Sequence, residues 1–369
     1  MATDHNVEAG AAQGHAPSTR DRFLGCMLGG AVGDALGAPI EFDSLEGIGA
    51  RHGPEGVSEF LPAYGRVGAI TDDTQMSLFT AEGLLRGCVR AADHGLCHTA
   101  SMVGAAYLRW LHTQGELPAG REDEASLPSG WLMTHEALFA RRAPGQTCLA
   151  ALRASKRGSA ACNDSKGCGG VMRVAPVGLL KPGDAFEDGV TIAALTHGHP
   201  TGSLSAGALA LIISRLVAGD SIASATASAR DRLLGAETAE ETLHAIDAAI
   251  ELAQRRPGDP DAIAALGEGW IAEEALSIAL YCALCAQSFE HGVVLSVNHD
   301  GDSDSTGSIT GQILGTLMGV SAIPERWLDQ LELRDVIEQV AIDLYEIPRG
   351  EVDEPDTELR RSMDRYPGY

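Results

Sequence analysis

The stretches GCMLGGAVGDALG (25–37) and GSITGQILGTLMG (307–319) carry one spacing, a glycine at every fourth residue: Gly25, Gly29, Gly33 and Gly37, then Gly307, Gly311, Gly315 and Gly319. Residues four apart share a helix face, so each stretch predicts a helix with a glycine stripe. Each glycine costs such a helix about 1 kcal/mol against alanine. A very close approach by another backbone or by a ligand would offset that cost, as in small-residue helix packing. Both helices are therefore expected at the centre of a bundle. Their packing would also position the residues at their ends, Asp34 to Glu41 and Asp302 to Ser305. The alternative is that the glycines break the two segments into loops.

Helical spacing runs outward from these two segments. Met102 to Leu111, Leu204 to Val217, Ala239 to Leu252 and Ala272 to Ala286 all read at a helical period, and β-branched alternation is sparse. Pro and Gly mark loops at 112–130, 142–146, 181–184, 256–260 and 347–356, none long or polar enough for an interdomain linker. The expected architecture is all-α: a polar, disordered extension over 1–19, one domain over 20–345, and an acidic tail over 346–369. With 44% hydrophobic residues, 369 positions are ample for a core, and the low aromatic share of 5% suits helices packed through small side chains.

The charge of −24 argues against a nucleic-acid or anionic-membrane surface. It leaves room for an anionic substrate held by metal ions or helix N-termini. The eight cysteines are scattered, unlike a secreted disulfide framework, and Cys282-x-x-Cys285 sits in an apolar helical pattern that predicts core thiols. The N-terminus has no apolar signal region, and no uninterrupted run of about 20 apolar residues predicts a membrane span. A cytoplasmic monomer is expected.

Two acidic clusters carry the chemistry. Thr71-Asp72-Asp73-Thr74 precedes an apolar helical run; a cap with acids in the first helical turn would explain it alone. Asp300-Gly301-Asp302-Ser303-Asp304-Ser305 begins like a calcium loop, but Ser305 stands where that loop needs Gly, and Gly311 where it needs Glu. If the fold joins the clusters, four aspartates share one site and need metal ions to stay ionised together. Oxygen-only ligands suit Mg²⁺, Mn²⁺ or Ca²⁺. Asn163-Asp164-Ser165-Lys166-Gly167-Cys168-Gly169-Gly170 is a candidate phosphate cradle without Walker or dinucleotide spacing. His197-Gly198-His199 serves a metal or a hydrogen-bonded substrate equally. Glu41, after Pro39, is a candidate base or bridging carboxylate at a helix end; a surface glutamate is the alternative.

Taken in order, GDALGAPIEF (33–42), TDDTQM (71–76), NDSKGCGGVMR (163–173), THGHPTG (196–202) and GDSDSTG (301–307) resemble the ADP-ribosylglycohydrolase family, and most of all its ADP-ribosylarginine hydrolases. The resemblance implies a compact, multi-helix orthogonal bundle with a central site for two Mg²⁺ ions, Mn²⁺ being the alternative. Thr71, Asp72, Asp73, Asp302, Asp304 and Ser305 would hold the metals. Glu41, Asp73 and Asp304 would act in catalysis. Asp34, Ser165, Gly167, Gly169, His197 and His199 would bind substrate. The implied reaction is hydrolysis of the N-glycosidic bond of ADP-ribosyl-arginine on proteins, with an oxocarbenium-like sugar and a water deprotonated by Glu41 or an aspartate. The same centre could serve another linkage, serine-linked or O-acetyl-ADP-ribose, with loop 112–130 as a discriminating region. A non-catalytic, toxin-neutralising or transferase-linked partner role is the reading from a different class.

Overall fold

A computed structural model of the chain describes residues 16–119, 130–155, 158–181, 185–349 and 364–368. The expected extension over 1–19 and acidic tail over 346–369 thus fall largely outside the described residues, as does most of loop 112–130. Among the described residues there are fifteen α-helices and one two-stranded hairpin, β1 Pro62–Ala63 against β2 Arg66–Val67. In chain order the helices are α1 Thr19–Gly37, α2 Leu45–His52, α3 Asp72–His94, α4 Thr99–Thr113 and α5 Gln146–Ala154. Then come α6 Ala175–Leu180, α7 Phe186–Ala193, α8 Pro200–Val217, α9 Ile222–Leu234 and α10 Glu240–Arg255. The last five are α11 Ala272–Cys285, α12 Phe289–Val297, α13 Ser303–Met318, α14 Glu325–Leu328 and α15 Arg334–Glu346.

The expected all-α class holds, and α1 is its axis. A capping box starts the helix: Ser18 Oγ accepts from Asp21 N at 3.1 Å, and Asp21 accepts in return from Ser18 N at 3.2 Å. From Phe23 to Gly37 every residue of α1 is buried, so it has no solvent face. Helix α13 lies antiparallel against it, and the two glycine stripes meet. A Cβ added at Gly25 would come 2.1 Å from the Gly315 carbonyl oxygen, at Gly29 2.4 Å from that of Gly311, and at Gly33 2.0 Å from that of Gly307. At Gly37 it would come 2.2 Å from the Ser303 carbonyl oxygen. No side chain fits in these gaps. The close approach inferred from the spacing is made by the second stripe, and the loop alternative is excluded.

The other helices wrap this pair. Helix α15 also packs on α1, α11 and α12 pack on α13, α6, α7 and α9 pack on α8, and α4 packs along α3. Helix α8 is apolar and long enough to cross a membrane, yet 89% of it is buried inside the protein, as befits a core helix. Beyond α15, residues 364–368 return to the body of the protein. Tyr366 is buried and its hydroxyl donates to Asp343 Oδ2 at 2.9 Å, beside the Arg365–Asp343 ion pair. All eight cysteines are free thiols, and Cys282 is a core residue as expected.

Candidate active site

The antiparallel packing has one chemical consequence. The C-terminal end of α1, which runs on to Glu41, meets the N-terminal end of α13, which begins at the second acidic cluster. Oxygens of Glu41, Asp302 and Asp304 come within 4.8 Å of one another, all on buried residues. Asp302 is the N-cap of α13 and accepts from Ser305 N at 3.3 Å.

Helix α1 also fixes the first cluster. Asp34 is fully buried, and its carboxylate accepts from Thr71 N at 3.0 Å, from Thr74 N at 3.1 Å, and from the Thr74 hydroxyl. An acid thereby satisfies orphan N–H groups at the start of α3. Thr71 caps the same helix, its Oγ1 accepting from Asp73 N at 3.3 Å. The two clusters touch where Ser305 Oγ donates to Asp73 Oδ2 at 3.3 Å. One helix therefore assembles the centre: α13 through glycines, α3 through Asp34, and Glu41 from its own end.

Such a centre cannot be fully ionised by itself. Burial first, then the charges of Asp304, Asp302, Asp72 and Asp34, push the Glu41 carboxyl up to about 10. Burial and mutual repulsion hold Asp72, Asp73 and Asp304 well above the usual carboxylate range, and burial raises Asp302. Glu41 Oε2 and Asp73 Oδ1 are buried without a hydrogen-bond partner. Two cations of the surrounding loops are committed elsewhere, Arg142 to Glu332 and Lys166 to Glu241 and Glu273. Clustered carboxylates with orphaned oxygens and a hydroxyl fit a hard divalent cation.

The acids line one wall of a cavity of about 470 Å³. The rest of its wall includes Gly167, Cys168, Gly169, His197 and the segment Ala143–Cys148. That wall is tied down by backbone: Cys168 N donates to Trp270 O at 3.1 Å, Ala272 N to Lys166 O at 2.8 Å, and His199 N to Ser165 O at 3.2 Å. Asn163 Oδ1 accepts from both Ser165 N and Gly198 N, at 3.1 and 3.0 Å. A Cβ on Gly169 would meet Cys148 Sγ at 2.8 Å and His197 Cε1 at 3.1 Å, so a side chain there would have to displace one of them.

Of the residues singled out in the sequence, Glu41, Asp72, Asp73, Gly167, Gly169, His197, Asp302, Asp304 and Ser305 line this one cavity. Thr71 and Asp34 lie behind it, both fully buried, and hold its wall in place. Ser165 stands at its edge, its Oγ 3.0 Å from Thr147 Oγ1. The two histidines part company. His197 enters the cavity, whereas His199 caps α8, its Nδ1 accepting from Thr201 N at 3.2 Å. They do not form a metal pair. Lys166 is the other departure from the cradle reading: it is tied to Glu241 and Glu273 rather than to the cavity.

Sequence reasoning missed three features. Cys168 donates from Sγ to Asp302 Oδ2 at 2.8 Å. Gly145 N donates to Asp72 Oδ2 at 3.2 Å, bringing loop 143–147 into the site. At the rim, Phe42 and Trp270 stack with ring centroids 5.9 Å apart, and Phe42 is 74% exposed. The scarcity of aromatic residues was the one signal that could have drawn attention to this pair.

Comparison with known proteins agrees with this geometry. The model of the ADP-ribosylglycohydrolase family matches residues 15–353. The chain is 26% identical to the ADP-ribosyl-[dinitrogen reductase] glycohydrolase of Rhodospirillum rubrum, over 86% of this chain and 92% of that one. It is 24% identical to an ADP-ribosylarginine hydrolase of Serratia proteamaculans, over 88% of this chain and 79% of that one. A solved structure described as an ADP-ribosylglycohydrolase-related protein complex superposes with a TM-score of 0.64 at 26% identity, covering 90% of this chain and 99% of that one.

Proposed function

Because this chain belongs to the ADP-ribosylglycohydrolase family and is an enzyme of that hydrolase class, we propose that it cleaves the N-glycosidic bond joining ADP-ribose to arginine on proteins. The observation that carries this reading is one cavity lined both by a cluster of carboxylates and by the glycine backbone and histidine of the Gly167–Gly169 and His197 segments. The first suits a sugar carbon developing positive charge; the second suits the phosphates and hydroxyls of ADP-ribose.

Asp72, Asp73, Asp302, Asp304 and Ser305 would hold two divalent cations, Mg²⁺ or Mn²⁺, with Thr71 at the α3 cap completing the set. Bound there, the ions would supply the positive charge that lets the carboxylates ionise together, and would polarise the oxygens of the sugar. Glu41 has a free Oε2 beside Asp302 and Asp304 and is the group to take a proton from the attacking water. Asp73 from α3 and Asp304 from α13 would stabilise the developing oxocarbenium charge. Gly167 and Gly169 let the ligand approach the backbone closely, and His197 offers a ring nitrogen beside them. The relatives named for ADP-ribosylarginine and for ADP-ribosylated dinitrogen reductase support arginine as the linkage and a protein as the carrier.

The test is release of free ADP-ribose from an arginine-ADP-ribosylated protein, with Mg²⁺ and with EDTA, for the native chain and Glu41→Gln. Metal-dependent release that Glu41→Gln reduces by about 10²-fold or more is expected. No release by a folded, Mg²⁺-supplied protein would refute the arginine assignment.

A further inference from the structure

Arg173 is fully buried and has no carboxylate partner among the described residues. Its Nη1 faces Met76 Sδ at 3.3 Å and Cys148 Sγ at 3.4 Å, and its guanidinium lies over the Tyr107 ring, 4.3 Å from the centroid. Its Nε has no partner. Burying a guanidinium among such weak partners is unfavourable. Its shortest hydrogen bond among the described residues is Nη2 donating to Thr196 Oγ1 at 2.6 Å.

That contact biases the direction of the next one. A guanidinium has donors only, so Thr196 Oγ1 must accept from it and keeps its single proton to give. That proton can go to His197 Nδ1 at 2.8 Å or to Ala193 O at 3.5 Å, and the Cys148 sulfur is a further, weaker partner of the same hydroxyl. The short, strong option is Nδ1, which leaves the ring hydrogen on Nε2. Nε2 sits against two glycines that line the cavity: a Cβ on Gly167 or on Gly169 would lie 3.4 Å from it.

The geometry points to Arg173 and Thr196 as positioning residues that fix His197 as a neutral Nε2–H donor into the cavity, aimed at a phosphate or hydroxyl oxygen of the ligand. The assignment of the ligand rests on the function proposed above; the assignment of the tautomer does not. Burial and the Arg173 charge also push the His197 imidazole down to about 3, so the ring stays uncharged. The arrangement resembles the way outer groups set the tautomer of a metal-bound histidine, here applied to a ligand donor.

The test reads the ring nitrogens of His197 directly, by two-dimensional ¹⁵N–¹H spectroscopy of ¹⁵N-histidine-labelled full-length protein without ligand. His197 should show an unprotonated Nδ1 and a protonated Nε2, and Thr196→Ser, which keeps the hydroxyl, should show the same. Thr196→Val should move proton occupancy onto Nδ1. With ADP-ribose as the probe, Thr196→Val should bind roughly tenfold more weakly and Thr196→Ser within about twofold of the native chain. A proton on Nδ1 in the native protein, or an unchanged tautomer in Thr196→Val, would overturn the inference. The expected tautomers without any binding of ADP-ribose would leave the positioning role standing and count against the functional reading instead.

Discussion

Gly37→Ala and Gly25→Ala place the same methyl group at opposite ends of one helix contact, and the two should part in their effects. A Cβ at Gly37 would stand 2.2 Å from the Ser303 carbonyl oxygen and 2.5 Å from Asp304 N. At Gly25 it would stand 2.1 Å from the Gly315 carbonyl oxygen. Both obstacles are backbone, so α1 and α13 must separate locally by roughly 1 Å to reach ordinary contact. Overpacking of this kind costs about 1–3 kcal/mol, against which alanine returns up to about 1 kcal/mol of helix propensity. Each variant should therefore lose on the order of 1–2 kcal/mol by urea denaturation. Function should separate them. Gly37 touches the backbone of Asp304 itself, whereas Gly25 lies about 18 Å away along the helix. A displacement of about 1 Å at a reacting centre can cost about 10²-fold in rate. Gly37→Ala should show that loss in ADP-ribose release, and Gly25→Ala should stay within about threefold of the native rate once corrected for the fraction folded. Equal losses of activity, or a Gly37→Ala variant with native stability and rate, would refute the role given to the glycine contact.

Two further outcomes follow from the buried charges. The Asp34 carboxyl is held up to about 7 by burial and then by the charge of Asp304, above its ordinary 3.8. A raised folded value means its stabilising contribution is complete below the unfolded value and lost as pH rises through about 7. The metal-free protein should thus show a falling melting temperature from about pH 4 to about pH 7, by calorimetry, and saturating Mg²⁺ should flatten the fall; a rise over that window would contradict the assignment. Glu332 is paired with Arg142, accepts from Ile70 N at 3.2 Å and so braces the start of α3 against loop 142–145. Glu332→Ala leaves Arg142 buried without its carboxylate and should cost about 3–5 kcal/mol in urea denaturation, and a loss under about 1 kcal/mol would show that the pair is not a brace.

Much of the site was legible because its chemistry is written in local patterns. Glycine at every fourth residue predicts a close-packed helix wherever it occurs, and clustered acids before an apolar run predict a capped, charged helix start. What the spacing could not convey is register. Nothing in either stripe says that Gly25 meets Gly315 and Gly37 meets Ser303, and that register is what brings Glu41 to Asp304. Residues of one type also proved unequal for reasons that lie far away in the chain. Lys166 looks like a phosphate ligand beside its glycines until Glu241 and Glu273 claim it. His197 and His199 are equivalent on paper, but helix α8 begins at Pro200 and takes His199 as its cap. Asp34 reads as a ligand-facing acid and is instead the support of Thr71 and Thr74. Phe42 and Trp270 form one feature of the rim from 228 residues apart, a distance no local pattern spans.

The central claim is that the acids gathered by α1 form a divalent-cation centre, and titration of the metal-free protein with Mg²⁺ or Mn²⁺ tests it most directly. Calorimetric titration in two buffers of different ionisation enthalpy reports binding and proton release together. Saturable binding that releases protons, as raised carboxyls give up theirs, and that Asp304→Asn weakens by about 10²-fold or more, is the predicted result. No binding at millimolar cation, or equal binding by Asp304→Asn, would contradict it.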